Sequence, residues 1–339
     1  MSDTTSTTST TTPATPAAPA PKVGDLATRA MLASLSISQW SARKLDKKAT
    51  AKTTSDAGAD RDAARVNKYL LAGQDSSLKE VAKIATQART LFYTLTQPWD
   101  DGSAILSADL WPRLNKELAD LSKQFHTAVD AFLFTDYAQA RDRARFALGA
   151  LFDDADFPPP HVVRRKFAIE YAIYPMPVSS DFRVTLAAAD AEMIRADIER
   201  RTTQRIKEAM DDAWDRLYQK VQHIATTLPA YDNGSTKKLY ASMVENLRDL
   251  CEILPALNLA RDPRLDELAA QAKAELAPLE IETLKASSHA RAQATASANA
   301  ILAAMSAHLG KPAQVTTPAP VRQTDPTVFD LFAPAIRAA

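Results

Sequence analysis

Apolar residues recur at intervals of three and four over most of the chain, the spacing of one face of an α-helix. The longest example lies between residues 181 and 228, where neither proline nor glycine occurs. At about 1.5 Å per residue, a single helix there would extend for on the order of 70 Å. Similar patterns predict helices over about 77–95, 108–151, 239–254, 263–278 and 281–309. The repeat therefore predicts a mainly α protein, an elongated bundle of long antiparallel helices of the coiled-coil type.

A few short segments depart from this repeat. Residues 34–38 alternate serine with leucine and isoleucine, the period-two pattern of a strand. A second short strand is predicted around 173–178, pairing with Leu35 to Ile37 as a two-stranded β element. Pro175 and Pro177 would confine it to a sheet edge, since proline has no N–H to donate. Shorter helical patterns run through Leu26, Ala30 and Met31, over 41–48 and over 60–71. A loop is predicted at 53–58 and a turn at 98–102.

Proline clusters divide the chain into three parts. Residues 1–22, rich in Ser, Thr, Pro and Ala, predict a disordered tail because too little apolar surface is available to offset the ordering entropy. Residues 23–310 predict one elongated helical domain, with an irregular proline-rich head at 152–180. Residues 311–339 predict a flexible C-terminal tail.

Charge and cysteine content limit the class of protein. The chain has 41 basic and 41 acidic side chains, so binding to a polyanion would need a local basic patch. Its one cysteine, Cys251, excludes an internal disulfide and suits a reducing compartment. No segment approaches the roughly 20 apolar residues of a membrane span, and the N-terminus lacks signal-peptide features. We therefore predict a cytoplasmic protein without a membrane association.

Motifs for catalysis are absent from the sequence. It contains no Gly-rich phosphate loop, no HExxH, no CxxC and no GxSxG. The acidic run at 153–156 lacks the glycine and the distal glutamate of a calcium loop, and His126 with Asp130 is typical of a surface helix pair. We predict no catalytic residue, no metal site and no cofactor, and therefore a protein that is not an enzyme.

Two basic runs are candidates for contact with an anionic partner. The first provides Trp40, Arg43, Lys44, Lys47 and Lys48, which combine cations with an aromatic ring. The second is formed by arginines at 141, 143 and 145 and the basic residues 164–166. Acidic residues interleave both runs, so a solvated charged face is the alternative interpretation.

The C-terminal tail contains a candidate docking motif, an apolar cluster that follows a Pro/Thr-rich linker. Its residues are Val328, Phe329, Asp330, Leu331 and Phe332. The last three are similar to the bacterial sliding-clamp-binding peptide, whereas Val328 and Phe329 depart from its pattern. Docking of the tail onto the helices of the same chain is the alternative.

Several strings resemble an uncharacterised family found mostly in tailed phages and proteobacterial mobile elements. They cover residues 36–48, 95–100, 148–153, 175–178 and 181–184. The resemblance implies a phage or mobile-element origin. Members of this family are sometimes encoded near MoxR-type AAA+ ATPases and von Willebrand A-like proteins. It implies no activity and supplies no catalytic residues.

Two functions follow as hypotheses. The first is a non-enzymatic helical interaction protein that binds a protein complex in the host cytoplasm, such as an AAA+ machine. The alternative is a nucleic-acid-associated protein of phage replication or recombination, with a tail that docks on a sliding clamp. Self-association into a homo-oligomer is compatible with both, because long helical seams also form interfaces between copies.

Overall fold

The computed structural model describes residues 23–71, 76–100, 102–231 and 238–309. These residues divide into two compact units. The first contains the described residues up to 212 together with 256–260, and the second contains those in 213–255 and from 261 onward. Helices predominate in both, so the prediction of a mainly α protein is confirmed.

The first unit combines helices with all six strands of the described chain. Its helices are α1 (Val23–Leu26), α2 (Lys47–Asp56), α3 (Ser76–Leu95), α4 (Trp111–Ala131), α5 (Tyr137–Leu148), α6 (Pro160–Arg164) and the first part of α7 (Ala188–Thr227). Its strands are β1 (Ala30–Ser38), β2 (Arg43–Leu45), β3 (Asn67–Tyr69), β4 (Gln97–Asp100), β5 (Ser103–Ser107) and β6 (Ala168–Pro175). The second unit contains the rest of α7, all but the last two residues of α8 (Ser242–Leu257), and the helices α9 (Pro263–Glu275), α10 (Ile281–Ala286) and α11 (Ser288–Leu309).

Four strands form an antiparallel sheet in the order β4-β5-β1-β6. The predicted pairing of the two strands is confirmed, but the second strand begins and ends earlier than the predicted 173–178, so Leu35 lies opposite Tyr171 and Ile37 opposite Ile169. As expected from its prolines, β6 lies at an edge. The sheet is larger than predicted because the segment expected to be only a turn forms the β4–β5 hairpin, closed at Gly102 with φ +81°. A positive φ of this size is readily adopted by glycine.

Helices cover the two faces of this sheet. On one face, the Tyr171 hydroxyl donates to Oδ1 of Asn115 in α4 at 2.6 Å. On the other face, the Gln97 side-chain amide donates to the backbone carbonyl of Ala209 in α7 at 2.6 Å. Successive strand residues point to opposite faces, so β5, whose residues 104–107 are all buried, is covered on both.

Four local predictions between residues 26 and 71 are wrong. The helix expected to continue through Ala30 ends at Leu26, and β1 begins at Ala30. The segments 41–48 and 60–71 provide strands β2 and β3 of a separate two-stranded ribbon, and the expected loop at 53–58 largely continues α2 to Asp56. Asp46 decides where α2 begins, because its carboxylate accepts from the Ala49 N–H at 2.9 Å as an N-cap.

Most of the long helices lie where the apolar seams predict them. The helix α7 has 40 residues and begins at Ala188, seven residues later than expected. The helix predicted over 108–151 consists of α4 and α5 joined by a π-helical turn at Phe132–Asp136. Asp262 caps α9, which begins at Pro263 as predicted, whereas the last predicted helix is interrupted at Ser287 between α10 and α11.

Candidate binding surface

The ribbon module is the part of the first unit formed by residues 40–71 and the segment 137–157 against which they pack. Its small core contains Ala42 and Leu70 from the ribbon with Ala144 and Phe157 from the other segment. Backbone bonds extend the ribbon beyond β2 and β3, since the Leu70 N–H donates to the Ala42 carbonyl at 2.7 Å. The module therefore joins two stretches of chain that are far apart in sequence.

Two lysines on the inner face of the ribbon hold a buried carboxylate. Lys44 and Lys68 are register partners, and both form ion pairs with Asp156, whose side chain is only 2% exposed. The Lys68 side chain is 7% exposed, and its Nζ also lies 3.3 Å from Oδ2 of Asp46 and 2.9 Å from the Leu151 carbonyl. Because a buried cation needs paired charges and hydrogen bonds, these contacts fix the ribbon on the loop that carries Asp156.

The same contacts shift the pKa values of this group. Burial would raise the pKa of the Asp156 carboxyl, but hydrogen bonds and charges from Lys44 and Lys68 outweigh it and lower the pKa. For Lys68, burial alone would lower the pKa, whereas the two carboxylates of Asp156 and Asp46 raise it overall. Both partners are therefore held in their charged forms at neutral pH.

The outer face of the ribbon is exposed. Arg43 pairs in register with Tyr69, and its guanidinium carbon lies 4.8 Å from the centroid of the tyrosine ring, a cation–π contact. Tyr69 nevertheless remains 55% exposed. The neighbouring pair, Leu45 and Asn67, is exposed as well.

The helix α2, which follows β2, carries three further cations. Lys47, Lys48 and Lys52 are exposed, and among the residues that the structure describes no carboxylate lies within ion-pair distance of them or of Arg43. Asp46 and Asp156 are engaged inside the module by Lys68, whereas Asp56 at the end of α2 is exposed.

A second exposed feature lies on α5, at the side of the module away from its core. The buried seam of this helical segment advances by five residues from Phe132 to Tyr137, at the π-helical turn, instead of the usual three or four. Tyr137 is fixed there by ring contacts at 5.8 Å to both Phe132 and Trp40. On the opposite side, Phe134 is 90% exposed and Phe146 is 86% exposed.

The predicted contact residues have different environments. Arg43, Lys47 and Lys48 are exposed, as contact residues must be. Trp40 is half-buried against the module core, and the half-exposed side chain of Lys44 is bound to Asp156, so both residues have contacts within the module. In the second basic run, Arg141 and Arg145 contact Asp154. The tail residues Val328, Phe329, Asp330, Leu331 and Phe332 lie outside the described residues.

Sequence reasoning missed Lys68, Tyr69 and Asp156. Lys68 and Tyr69 are placed by their pairing with a strand about 24 positions earlier, and Asp156 comes from a loop still further along the chain. No local sequence pattern indicates such long-range contacts. It also missed Phe134 and Phe146, although the five-residue step from Phe132 to Tyr137 is visible in the sequence.

Other reactive groups are few in the described part of the chain. It contains no group of three or more His, Cys, Asp or Glu side chains that could hold a metal ion. The thiol of Cys251 is buried, and burial raises its pKa to about 11. None of the described helices is long and apolar enough to cross a membrane.

Comparisons of the chain with protein-family models, with curated proteins and with solved structures find no match. The ribbon module and α5 are therefore the features from which a function is inferred.

Proposed function

We propose that this chain is a non-enzymatic interaction protein that binds a protein complex through the exposed face of α5 and of the π-helical turn before it. The resemblance noted in the sequence supports the further proposals that it originates from a phage or mobile element, acts in the host cytoplasm and binds an AAA+ ATPase. The proposal of a sliding clamp as partner depends on Val328–Phe332. An elongated antiparallel arrangement of the long helices, as a scaffold, is part of the same proposal.

The exposure of Phe134 and Phe146 is the observation that carries this proposal. In a regular helix, residues 12 positions apart differ by about 120° around the axis. Phe134 is the middle residue of the π-helical turn, and the extra residue of that turn reduces the difference to about 60°, so the two rings lie on one side about 17 Å apart along the axis. Burying each ring in an interface would contribute about 1.5–3 kcal/mol. Two aromatic anchors on one side of a helix are typical of an interaction hot spot.

The state of two nucleophilic side chains agrees with a role outside catalysis. Cys251, with a pKa of about 11, is a thiol at neutral pH and not the reactive thiolate. Lys68 has a raised pKa and is bound to carboxylates, so it is an ammonium group without a free electron pair. Both residues therefore support a structural interpretation.

Site-specific photocrosslinking tests the proposal in the cells that naturally make the protein. A benzoylphenylalanine at position 134 and, separately, at position 146 should crosslink to the same partner protein. Tyr93 on α3, which is also largely exposed, provides the matched control position. With the purified partner, Phe134→Ser/Phe146→Ser should weaken binding at least about 30-fold, or about 2 kcal/mol.

Two results would contradict the proposal. One is a crosslinking pattern at 134 and 146 that contains no protein beyond those captured from position 93. The other is a double variant that binds the captured partner as tightly as the native chain. Crosslinks between two copies of this chain would identify self-association instead and would overturn the proposed partner class.

A further inference from the structure

An exposed segment of the first unit lies between the short 3₁₀-helix at Ser179–Asp181 and the beginning of α7 at Ala188. Every residue from 183 to 187 is exposed. Among them, Val184 is 59% exposed and Leu186 is 45% exposed. The backbone is extended where the segment begins, since Phe182 has φ −73° and ψ 102°. Two large apolar side chains are therefore presented to solvent by a segment that is neither helix nor strand.

The sequence of this segment is nevertheless that of a strand. The apolar residues Phe182, Val184 and Leu186 alternate with Arg183 and Thr185, which is the period-two pattern of a half-buried strand. Phenylalanine, valine and threonine are enriched in strands, and about five residues is a common strand length. Neither the four-stranded sheet nor the ribbon includes the segment. A strand-forming sequence is thus left without a strand partner in the described part of the chain.

The backbone of the segment has the unpaired groups that strand pairing uses. The N–H and carbonyl groups of residues 183–186 form no hydrogen bond with any other described residue. The nearest backbone hydrogen bonds lie just outside this run, from the Phe182 N–H to the Ser179 carbonyl and from the Ala191 N–H to the Ala187 carbonyl. Four consecutive residues therefore offer their donors and acceptors to a strand of another molecule.

We propose that residues 182–186 add as a strand to an exposed sheet edge of a partner protein. Main-chain hydrogen bonds would supply affinity, and pockets for alternate side chains would supply specificity. Val184 and Leu186 would lie on an apolar face of the partner's sheet, and Arg183 and Thr185 on a solvated face. A sheet with one apolar and one solvated face is typically antiparallel, so the proposed partner has an antiparallel sheet with an unprotected edge. This inference does not depend on the surface of α5.

Other occupants fit the segment less well. A second copy of the segment would form a ribbon of two strands, which is marginal in water without further strands to support it. A helix pairs its backbone groups internally and offers none to the segment. A nucleic acid would meet one cation, Arg183, whose Nη2 lies 3.9 Å from Oδ1 of Asp181. An existing sheet edge supplies both the backbone partners and the apolar contacts.

Photocrosslinking at successive positions of the full chain tests the proposal in the cells that naturally make it. Benzoylphenylalanine is placed at 183, 184, 185 and 186 in turn. Positions 184 and 186 should capture the same protein more efficiently than 183 and 185, because successive strand side chains point to opposite faces. The two crosslinked sites on the captured protein, mapped by mass spectrometry, should lie about two residues apart on one strand at a sheet edge.

Two proline variants, with the captured protein purified as the binding probe, test the backbone pairing. Successive N–H groups of a strand point to opposite edges, so only one of Val184→Pro and Thr185→Pro removes a donor that faces the partner. That variant should bind about 5- to 150-fold more weakly, whereas proline facing solvent is tolerated on an edge strand. Neither variant should change the thermal midpoint of the free chain, because no backbone hydrogen bond of the described structure is lost.

Three outcomes would overturn the inference. The first is that positions 183–186 capture no protein beyond those captured from the position of Tyr93, an exposed residue of α3. The second is that the crosslinked sites lie on a helix, at scattered positions or on another copy of this chain. The third is equal binding of the two proline variants to the captured protein. None of these results affects the crosslinks expected from positions 134 and 146, so the two proposals are tested separately.

Discussion

At the scale of single residues, Lys68 and Asp156 are the charged groups on which the ribbon module depends. Transfer of either charge from water into the protein is costly, and the cost is offset only while both are present with their hydrogen bonds. Lys44 and Asp46 complete the group from its rim. The arrangement positions the outer-face residues without contacting a ligand itself.

Removal of the central carboxylate should therefore be strongly destabilising. We expect Asp156→Asn to lower the free energy of unfolding by about 3 kcal/mol, because it leaves the Lys68 charge buried with too few partners. Asp154→Asn is the matched control: Asp154 contacts Arg141 but is more than half exposed, so a loss of at most about 1 kcal/mol is expected. Urea unfolding followed by circular dichroism measures both.

A double variant shows whether the buried charge is the cause. Asp156→Asn/Lys68→Met removes the unpaired ammonium group and should recover more than half of the lost stability. If the double variant were as unstable as Asp156→Asn alone, the hydrogen bonds of Asp156 with other groups would be responsible, and the argument from charge burial would be wrong.

The same residues predict how stability depends on pH. The pKa of Asp156 is lowered on folding, so its contribution is present above the ordinary aspartate pKa of about 3.9 and is lost as the pH falls through the lower folded value. The pKa of Lys68 is raised, so its contribution is present below about 10.4 and is lost as the pH rises through the higher folded value.

We therefore expect the thermal midpoint of the native chain to fall below about pH 4 and above about pH 10.5. Asp156→Asn/Lys68→Met should show a smaller decrease at both ends, because it lacks the two titrating groups. Equal pH profiles for the native chain and this double variant would contradict the assignment of the shifts to this pair.

At the scale of elements, the π-helical turn at Phe132–Asp136 explains how α5 presents different residues on its two sides. Phe132 and Tyr137 both remain on the buried seam because the turn contains one residue more than an α-helical turn. The Tyr137 hydroxyl then donates to the Pro158 carbonyl at 2.7 Å, which ties α5 to the loop before α6. In a regular α-helix the next buried residue would follow after three or four positions, whereas here it follows after five.

Deletion of one residue tests this interpretation. Thr135 is an exposed residue of the turn. Its deletion should convert the π-helical turn to α-helix and keep the buried seam intact. The free energy of unfolding should then fall by only about 1 kcal/mol, the scale of one hydrogen bond. Deletion of Gln139, exposed in regular α5, rotates the following residues by about 100° and turns Ala144 and Leu148 out of the core. That variant should lose at least about 3 kcal/mol, and urea unfolding compares the two.

A comparable loss of stability in both deletion variants would show that removal of the extra residue does not convert the π-helical turn into a regular α-helical turn. The placement of Phe134 and Phe146 on one side would then need to be explained without the register argument, since it depends on the same inserted residue.

At the scale of the whole molecule, the sequence predicts long helices better than short strands. The seam that predicts α7 repeats over dozens of residues, so a local pattern is sufficient to find it. The ribbon strands have three residues each, and their stability comes from pairing across the chain and from an ion pair between residues 112 positions apart. Local propensity cannot report contacts of that kind.

The residues of the candidate surface also divide into those that a local pattern predicts and those that depend on long-range contacts. Arg43, Lys47 and Lys48 are predicted because a run of cations is local information. The inward orientation of Lys44 and the position of Tyr69 beside Arg43 are set by strand register, which becomes visible only in the fold. The division into two units is likewise a property of long-range contacts.

Both outer strands of the four-stranded sheet contain a proline, Pro98 in β4 and Pro175 in β6. A strand added from another molecule would need a continuous row of N–H donors, and each proline removes one from the row. Glu170 on β6 would add the cost of placing a charge against a neighbouring strand. These residues therefore protect the sheet against growth into fibrillar aggregates during folding at high concentration.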